Sequence, residues 1–180
     1  MTESKTQSNL SFRLMSLEFR IRDLIWPPVK ILEEAGVKPG MAVLDFGCGP
    51  GTFTIASAGL VGREGKVYAL DINPLALESV RRYASSKNLG NIQAIHGNEI
   101  KNIPDESIDI VLLYDVLHDF ADPAPIMAEI HRVLKPNGVL SVSDHHLKNK
   151  TQDIIAATGF FRFSGSARQI LKFERNNVKG

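Results

Sequence analysis

The stretch that most limits what this chain can fold into is Val43-Leu44-Asp45-Phe46-Gly47-Cys48-Gly49-Pro50-Gly51-Thr52. The apolar run from Met41 to Phe46 reads as a short buried strand. Three glycines follow at alternate positions, and an apolar-rich helical segment starts near Thr52. A loop without Cβ atoms bends sharply and lets a ligand touch the backbone. The N–H groups at the start of the next helix favour a polar or anionic ligand group. Asp45 sits at the carboxyl end of the strand, where open α/β sheets bind ligands. The dinucleotide fingerprint would place a third glycine at position 52, where this chain has Thr52. An acid before the loop also faces a diphosphate poorly and suits a cationic ligand better.

The rest of the chain alternates strand and helix. Lys66–Asp71 reads as strand two and ends in an acid, 20 residues after Gly51. At that spacing α/β folds set a carboxylate on ribose hydroxyls. Asp71-Ile72-Asn73-Pro74 is also a helix-start signal, with Asn73 the better cap. Ala76, Val80, Tyr83, Ala84 and Lys87 form the expected buried stripe of the next helix. Ile92–His96 reads as strand three and the loop Ile100–Glu106 as too short for a helix. Ile108–Tyr114 is nearly continuous in apolar residues, as a central parallel strand with both faces covered requires. A helix over Pro123–Leu134, a turn at Pro136-Asn137-Gly138, and strand five at Val139–Ser143 follow. A helix near Thr151–Ala157 precedes two short strands, near Phe160–Phe163 and Gln169–Phe173. Such alternation gives a parallel sheet with helices on both faces.

Ahead of strand one, residues 1–10 are polar and read as a disordered tail. Residues 11–36 read as a helical segment, with Leu14, Leu17, Ile21 and Leu24 at helical spacing and a break at Trp26-Pro27-Pro28. Residues 37–180 form the main domain. A chain of 180 residues is most simply one domain of this kind. No secretory leader or bilayer-length apolar run is visible, and a single cysteine excludes an internal disulfide. Cytoplasmic residence is therefore expected. The net charge of +1 gives no reason to expect specific nucleic-acid or membrane binding. The charge is uneven, however: from His145 onward seven basic side chains face two acidic ones.

The string Val-Leu-Asp-Phe-Gly-Cys-Gly-Pro-Gly closely resembles the first motif of class I S-adenosylmethionine-dependent methyltransferases. The acid ending strand two and Arg132-Val133-Leu134-Lys135-Pro136-Asn137-Gly138 before strand five extend the resemblance over about residues 29–175. It implies a Rossmann-like α/β fold with a seven-stranded, mainly parallel sheet in the order 3-2-1-4-5-7-6 and strand seven antiparallel. It implies S-adenosylmethionine as cofactor, held by Asp45, Gly47, Cys48, Gly49, Gly51, Asp71, Ile72, Tyr114 and Asp115. Asn98 and Glu99 share the place of the acid that contacts the adenine amine. It also implies that the helix before strand one lies over the cofactor pocket; packing on the sheet or on a second subunit is the alternative.

Methyl transfer from a sulfonium is an in-line displacement, for which the protein mainly supplies proximity and alignment. A base is needed only where the acceptor carries a proton that must leave. Asp115, His118, Asp144 and His145 are the catalytic candidates at the ends of strands four and five, with Asp119 and His146 beside them. Asp119 is alternatively a cap for the helix beginning near Asp122. No strong metal-ligand spacing is present, so no metal is expected. The chain lacks the Asn-Pro-Pro-Tyr or Asp-Pro-Pro-Tyr that enzymes methylating DNA or protein nitrogens often carry after strand four. It also lacks the several cysteines of arsenite methyltransferases and any inserted substrate domain. A small-molecule acceptor is expected, with the basic C-terminal segment favouring an anionic one and a homodimer as one way to complete its pocket. Two other readings remain open: a cofactor-binding regulatory subunit without transfer activity, and a nicotinamide-dependent oxidoreductase.

Overall fold

In the computed structural model, which describes residues 27–97 and 100–176, β1 (Ala42–Phe46) lies inside the sheet with residues 43–46 buried. It pairs in parallel with β2 (Lys66–Asp71) on one side and β4 (Ile108–Tyr114) on the other. β3 (Ile92–His96) extends the β2 side, and β5 (Leu134–Ser143) the β4 side. The chain then doubles back through β6 (Phe161–Ala167) and β7 (Ile170–Arg175). The full order is β3-β2-β1-β4-β5-β7-β6, with β7 antiparallel to both its neighbours. This is the order the resemblance implies.

The helices divide between the two faces because strand side chains alternate. On one face Val43, Val67, Ile110 and Leu112 pack with Leu32 and Ala35 of α1 (Pro28–Ala35) and Ala58 and Val61 of α2 (Thr52–Val61). Ala69 meets Leu77 and Val80 of α3 (Pro74–Ser86). On the other face Leu44, Val111, Leu113, Leu140 and Val142 cover Met127, Ile130 and Val133 of α4 (Ala124–Val133) and Ile155 of α5 (Thr151–Ala157). Fully burying one such aliphatic side chain stabilises the fold by about 1.5–3 kcal/mol.

Several boundaries differ from expectation for identifiable reasons. β5 begins at Leu134, five residues early, because Leu134 pairs with Ile108 before a register shift that brings Val139 opposite Ile110. The expected turn at Pro136-Asn137-Gly138 is thus an irregularity within the strand. Lys87 is exposed and ends α3 instead of joining its buried stripe. Asp119 lies in a short 3-10 turn, Leu117–Asp119; Asp122 takes the capping role, its Oδ1 accepting from the N–H of Ala124 at 3.0 Å. The expected tail over 1–10 and the helical segment over 11–26, with Phe12, Phe19 and Trp26, lie outside the described residues. Among the described residues no helix is long and apolar enough to cross a membrane.

Candidate functional site

The first part of the site is the loop between β1 and α2. Gly47, Gly49 and Gly51 all take positive φ, at 77°, 51° and 97°. A Cβ on Gly51 would sit 2.7 Å from Val80 Cγ2, and one on Gly47 would run into the Val116 side chain. Glycine is therefore required at both places for backbone and for space. The N–H groups of Gly47 and Cys48 donate to the carbonyl of Leu70 at 2.8 and 2.9 Å, which ties the loop to β2. Ser79 of α3 donates its hydroxyl to the Pro50 carbonyl at 3.0 Å. Cys48, within this loop, is buried, and burial pushes its thiol pKa up.

Two carboxylates flank the loop. Asp45, at the end of β1, is buried and accepts a 2.6 Å hydrogen bond from the Thr54 hydroxyl. Burial pushes its carboxyl up to about 7, the Thr54 hydrogen bond opposing and the charge of Asp71 adding to the rise. Asp71, at the end of β2, accepts from the N–H of Gly49 through Oδ2 and from the N–H of Asn73 through Oδ1, each at 2.8 Å. Burial raises its carboxyl above the usual value as well. Asn73 caps α3 by accepting from the N–H of Leu75. Asp71 and Asn73 thus share the helix-start signal, and each Asp71 oxygen keeps a further acceptor position. Next to Asp71, Ile72 is 57% exposed, unusually so for its size. Tyr114, at the end of β4, closes the loop's inner side. Its hydroxyl pairs with that of Ser141 at 2.8 Å, and Phe53 meets its ring edge-on at 4.7 Å. Asp45, Gly47, Gly49, Thr52, Phe53 and Tyr114 line a common pocket.

The second part lies across the ends of β4 and β5. Asp115 follows β4 with φ at 53°, a conformation few non-glycine residues adopt and one that clusters at functional sites. Its Oδ1 accepts from the main-chain N–H of His145 at 3.2 Å and lies 2.6 Å from His145 Nδ1. Asp144 has a fully buried side chain. Its Oδ2 accepts from the N–H of His118 and lies 3.0 Å from His118 Nδ1; its Oδ1 accepts from the N–H of His146. Burial acts to raise the Asp144 carboxyl, yet these hydrogen bonds from His118 and His146 hold it below its usual value. The His146 ring packs between those of His118 and His145, with centroids 4.1 and 3.9 Å away. Among the described residues no group of three or more His, Cys, Asp or Glu side chains is placed to hold a metal ion.

Asp45, Gly47, Cys48, Gly49, Gly51, Asp71, Ile72 and Tyr114 therefore gather at one end of the sheet, with Asp115, His118, Asp144 and His145 beside them. Asn98 and Glu99 lie outside the described residues. Sequence reasoning missed Thr54, whose signal was a polar residue, like Ser57, on the buried side of an apolar-rich helix. It named His146 without foreseeing its place between two other imidazoles. The whole assembly stands where the strand order reverses between β1 and β4, the ligand position of open α/β sheets.

A family model described as a methyltransferase domain matches residues 37–170. The chain belongs to the class I S-adenosylmethionine-dependent methyltransferases. Among curated methyltransferases it is 36% identical over 124 residues to a demethylmenaquinone methyltransferase of Geobacillus stearothermophilus, covering 68% of this chain and 52% of that protein. It is 33% identical over 130 residues to a ubiquinone/menaquinone biosynthesis C-methyltransferase, UbiE, of Shewanella piezotolerans, with the same coverage of each chain. This methyltransferase chain thus spans about half the length of the curated relatives it matches. Its fold is similar to that of an S-adenosylmethionine-dependent methyltransferase from Aquifex aeolicus. The TM-score is 0.79 at 24% identity, over 93% of this chain and 98% of that one.

Proposed function

We propose that this chain transfers a methyl group from S-adenosylmethionine to a small-molecule acceptor seated over the ends of β4 and β5. The observation that carries the reading is the pair of carboxylates, Asp45 and Asp71, on either side of a glycine loop that keeps its backbone accessible. Such a donor set fits this cofactor. Asp45 suits a cationic ammonium group, Asp71 offers two acceptor oxygens to vicinal hydroxyls, and the exposed face of Ile72 suits a flat base. Gly47, Cys48, Gly49 and Gly51 would bring backbone against the methionine portion, with Tyr114 and Asp115 on its far side. The bound cofactor supplies an activated methyl group; the protein's part is alignment and, at the rim, a place for a proton. His118 and His145, with Asp144 and Asp115, are the groups at that rim. A carboxylate just before the loop and Thr52 at the third-glycine position disfavour a nicotinamide dinucleotide.

The relatives named for demethylmenaquinone make a quinol-type ring the first acceptor to try. Support for an anionic acceptor is narrower than the sequence implies. Arg162, Arg168 and Arg175 are held by Glu174, Glu34 and Glu106, which leaves Lys148, Lys150 and Lys172 outside these ion pairs among the described residues of that segment. Calorimetry tests the cofactor assignment. Replacing Asp71 by Ala should weaken S-adenosylmethionine binding by about 1.5–3 kcal/mol, as hydrogen bonds to charged groups do, or roughly 10- to 150-fold in Kd. An unchanged Kd in that variant removes the ribose role. Release of S-adenosylhomocysteine on addition of an acceptor separates an enzyme from a cofactor-binding subunit.

A further inference from the structure

The two histidine–aspartate pairs at the rim are built differently, and the difference assigns them different work. Asp144 is fully buried and binds both the main-chain N–H and the ring of His118 through one oxygen. Its other oxygen holds the His146 N–H. The remaining ring nitrogen of His118, Nε2, faces Asp119 Oδ1 at 3.6 Å, and the side chain is 25% exposed. Both nitrogens of His118 therefore face carboxylates, and the Asp144–His118 unit pins the loop after β4 to the end of β5. His145 is 70% exposed. Only its Nδ1 is engaged, at 2.6 Å from Asp115 Oδ1. A carboxylate accepts only, so this contact selects the tautomer with the proton on Nδ1. It leaves the Nε2 lone pair without a hydrogen-bond partner among the described residues. The same Asp115 oxygen takes the His145 main-chain N–H, and the His146 ring backs the imidazole at 3.9 Å. The ring's position and its tautomer are thus fixed before any acceptor arrives.

We propose that Asp115 and His145 form a general-base pair, and that the acceptor is methylated at an atom that bears a proton at neutral pH. A hydroxyl or an enol-type carbon is such an atom; a tertiary amine, carboxylate or thiolate needs no base. The inference rests on the methyl-transfer reading above. In the step, the acceptor's electron pair forms the new bond to the methyl carbon. The bond between that carbon and sulfur breaks with its electrons staying on sulfur, which becomes a neutral thioether. The acceptor's proton passes to His145 Nε2. Asp115 is a positioning residue that stabilises the imidazolium so formed, and His118 and Asp144 position the loops that carry the pair.

Two measurements test this. Nitrogen-15 NMR of the full chain at pH 8, without acceptor, should show His145 as the Nδ1–H tautomer, and Asp115→Asn should redistribute its tautomers. An Nε2–H tautomer in the unaltered protein overturns the proposal. Turnover is then read with methyl-labelled S-adenosylmethionine and a small-molecule cell extract as the acceptor pool. Calorimetric binding of the cofactor serves as the folding control for His145→Gln, and thermal melting for Asp115→Asn, because Asp115 itself borders the cofactor site. His145→Gln should bind the cofactor as the unaltered protein does and lose about 100-fold or more in kcat, the usual scale of general-base catalysis. Asp115→Asn should lower the rate of label transfer at a fixed extract concentration. Labelled products should be O- or C-methylated. Full turnover in His145→Gln, or label found only on sulfur, on a carboxylate or in a quaternary ammonium, overturns the base pair alone. Cofactor binding without any label transfer by the unaltered protein overturns the transferase reading and this inference together.

Discussion

Asp45 carries a cost that the cofactor is suited to relieve. Its carboxyl stands at about 7 against an ordinary 3.8, because burial disfavours the charged form. Between those two values the folded protein holds a proton that the unfolded chain has released. Stability from this group therefore falls as pH rises through that window, by roughly 4 kcal/mol at most. Asp45→Asn keeps the acceptor for Thr54 and removes the charge. Its melting temperature at pH 8 should exceed that of the unaltered protein, and the gap should close toward pH 4. Ligand binding should run the other way. A cationic ammonium favours the carboxylate, so S-adenosylmethionine affinity should drop as pH falls below about 7, by up to tenfold per unit, with proton release seen by calorimetry in buffers of different ionisation enthalpy. A pH-independent Kd between 5.5 and 8 contradicts the pairing. None of this was legible in the sequence beyond the acid itself. The partner Thr54 is nine residues away, and only the fold brings its hydroxyl to the carboxylate.

At the scale of elements, the sequence was most readable where burial is two-sided. β4 is apolar at six of its seven positions because helices cover both its faces, and its limits were those expected. β5 was misread at its start because Pro136-Asn137-Gly138 carries every local mark of a turn, while pairing of Leu134 with Ile108 holds the backbone extended. Local propensity lost to a long-range ladder. The junction of elements at the glycine loop gives a sharper test. The side chain of Val116, just past β4, fills the space a Gly47 Cβ would need. Gly47→Ala should therefore weaken cofactor binding at least tenfold and destabilise the fold by about 1–3 kcal/mol, the usual range for overpacking. Adding Val116→Ala should recover part of the stability, leaving the strain of an alanine at positive φ. Urea melts of the single and double variants read this directly, and no recovery would place the loss in backbone strain alone.

Across the whole molecule, the two ends of the sheet have separate duties. The carboxyl ends of the parallel strands hold Asp45, Asp71, Asp115, Asp144 and the histidines. The amino ends hold ion pairs and backbone clamps. Lys135 pairs with Asp109, whose other oxygen accepts from the Ala42 N–H. Arg175, at the end of β7, donates to Glu106 and to the Leu134 carbonyl. Arg175→Ala should cost about 1–3 kcal/mol of stability by leaving that carbonyl unpaired, with cofactor affinity unchanged. A shift in Kd would show that the ends are coupled. The resemblance read from β1, β2 and the segment before β5 implied the overall strand order, which single-element patterns do not encode. Cys48 gives the molecule one more property. Buried within the glycine loop and the only thiol in the chain, it should react with an alkylating dye chiefly when that loop shifts. Its labelling rate is therefore a built-in clock for loop opening, and a bound ligand that seals the loop should slow it without any engineered probe.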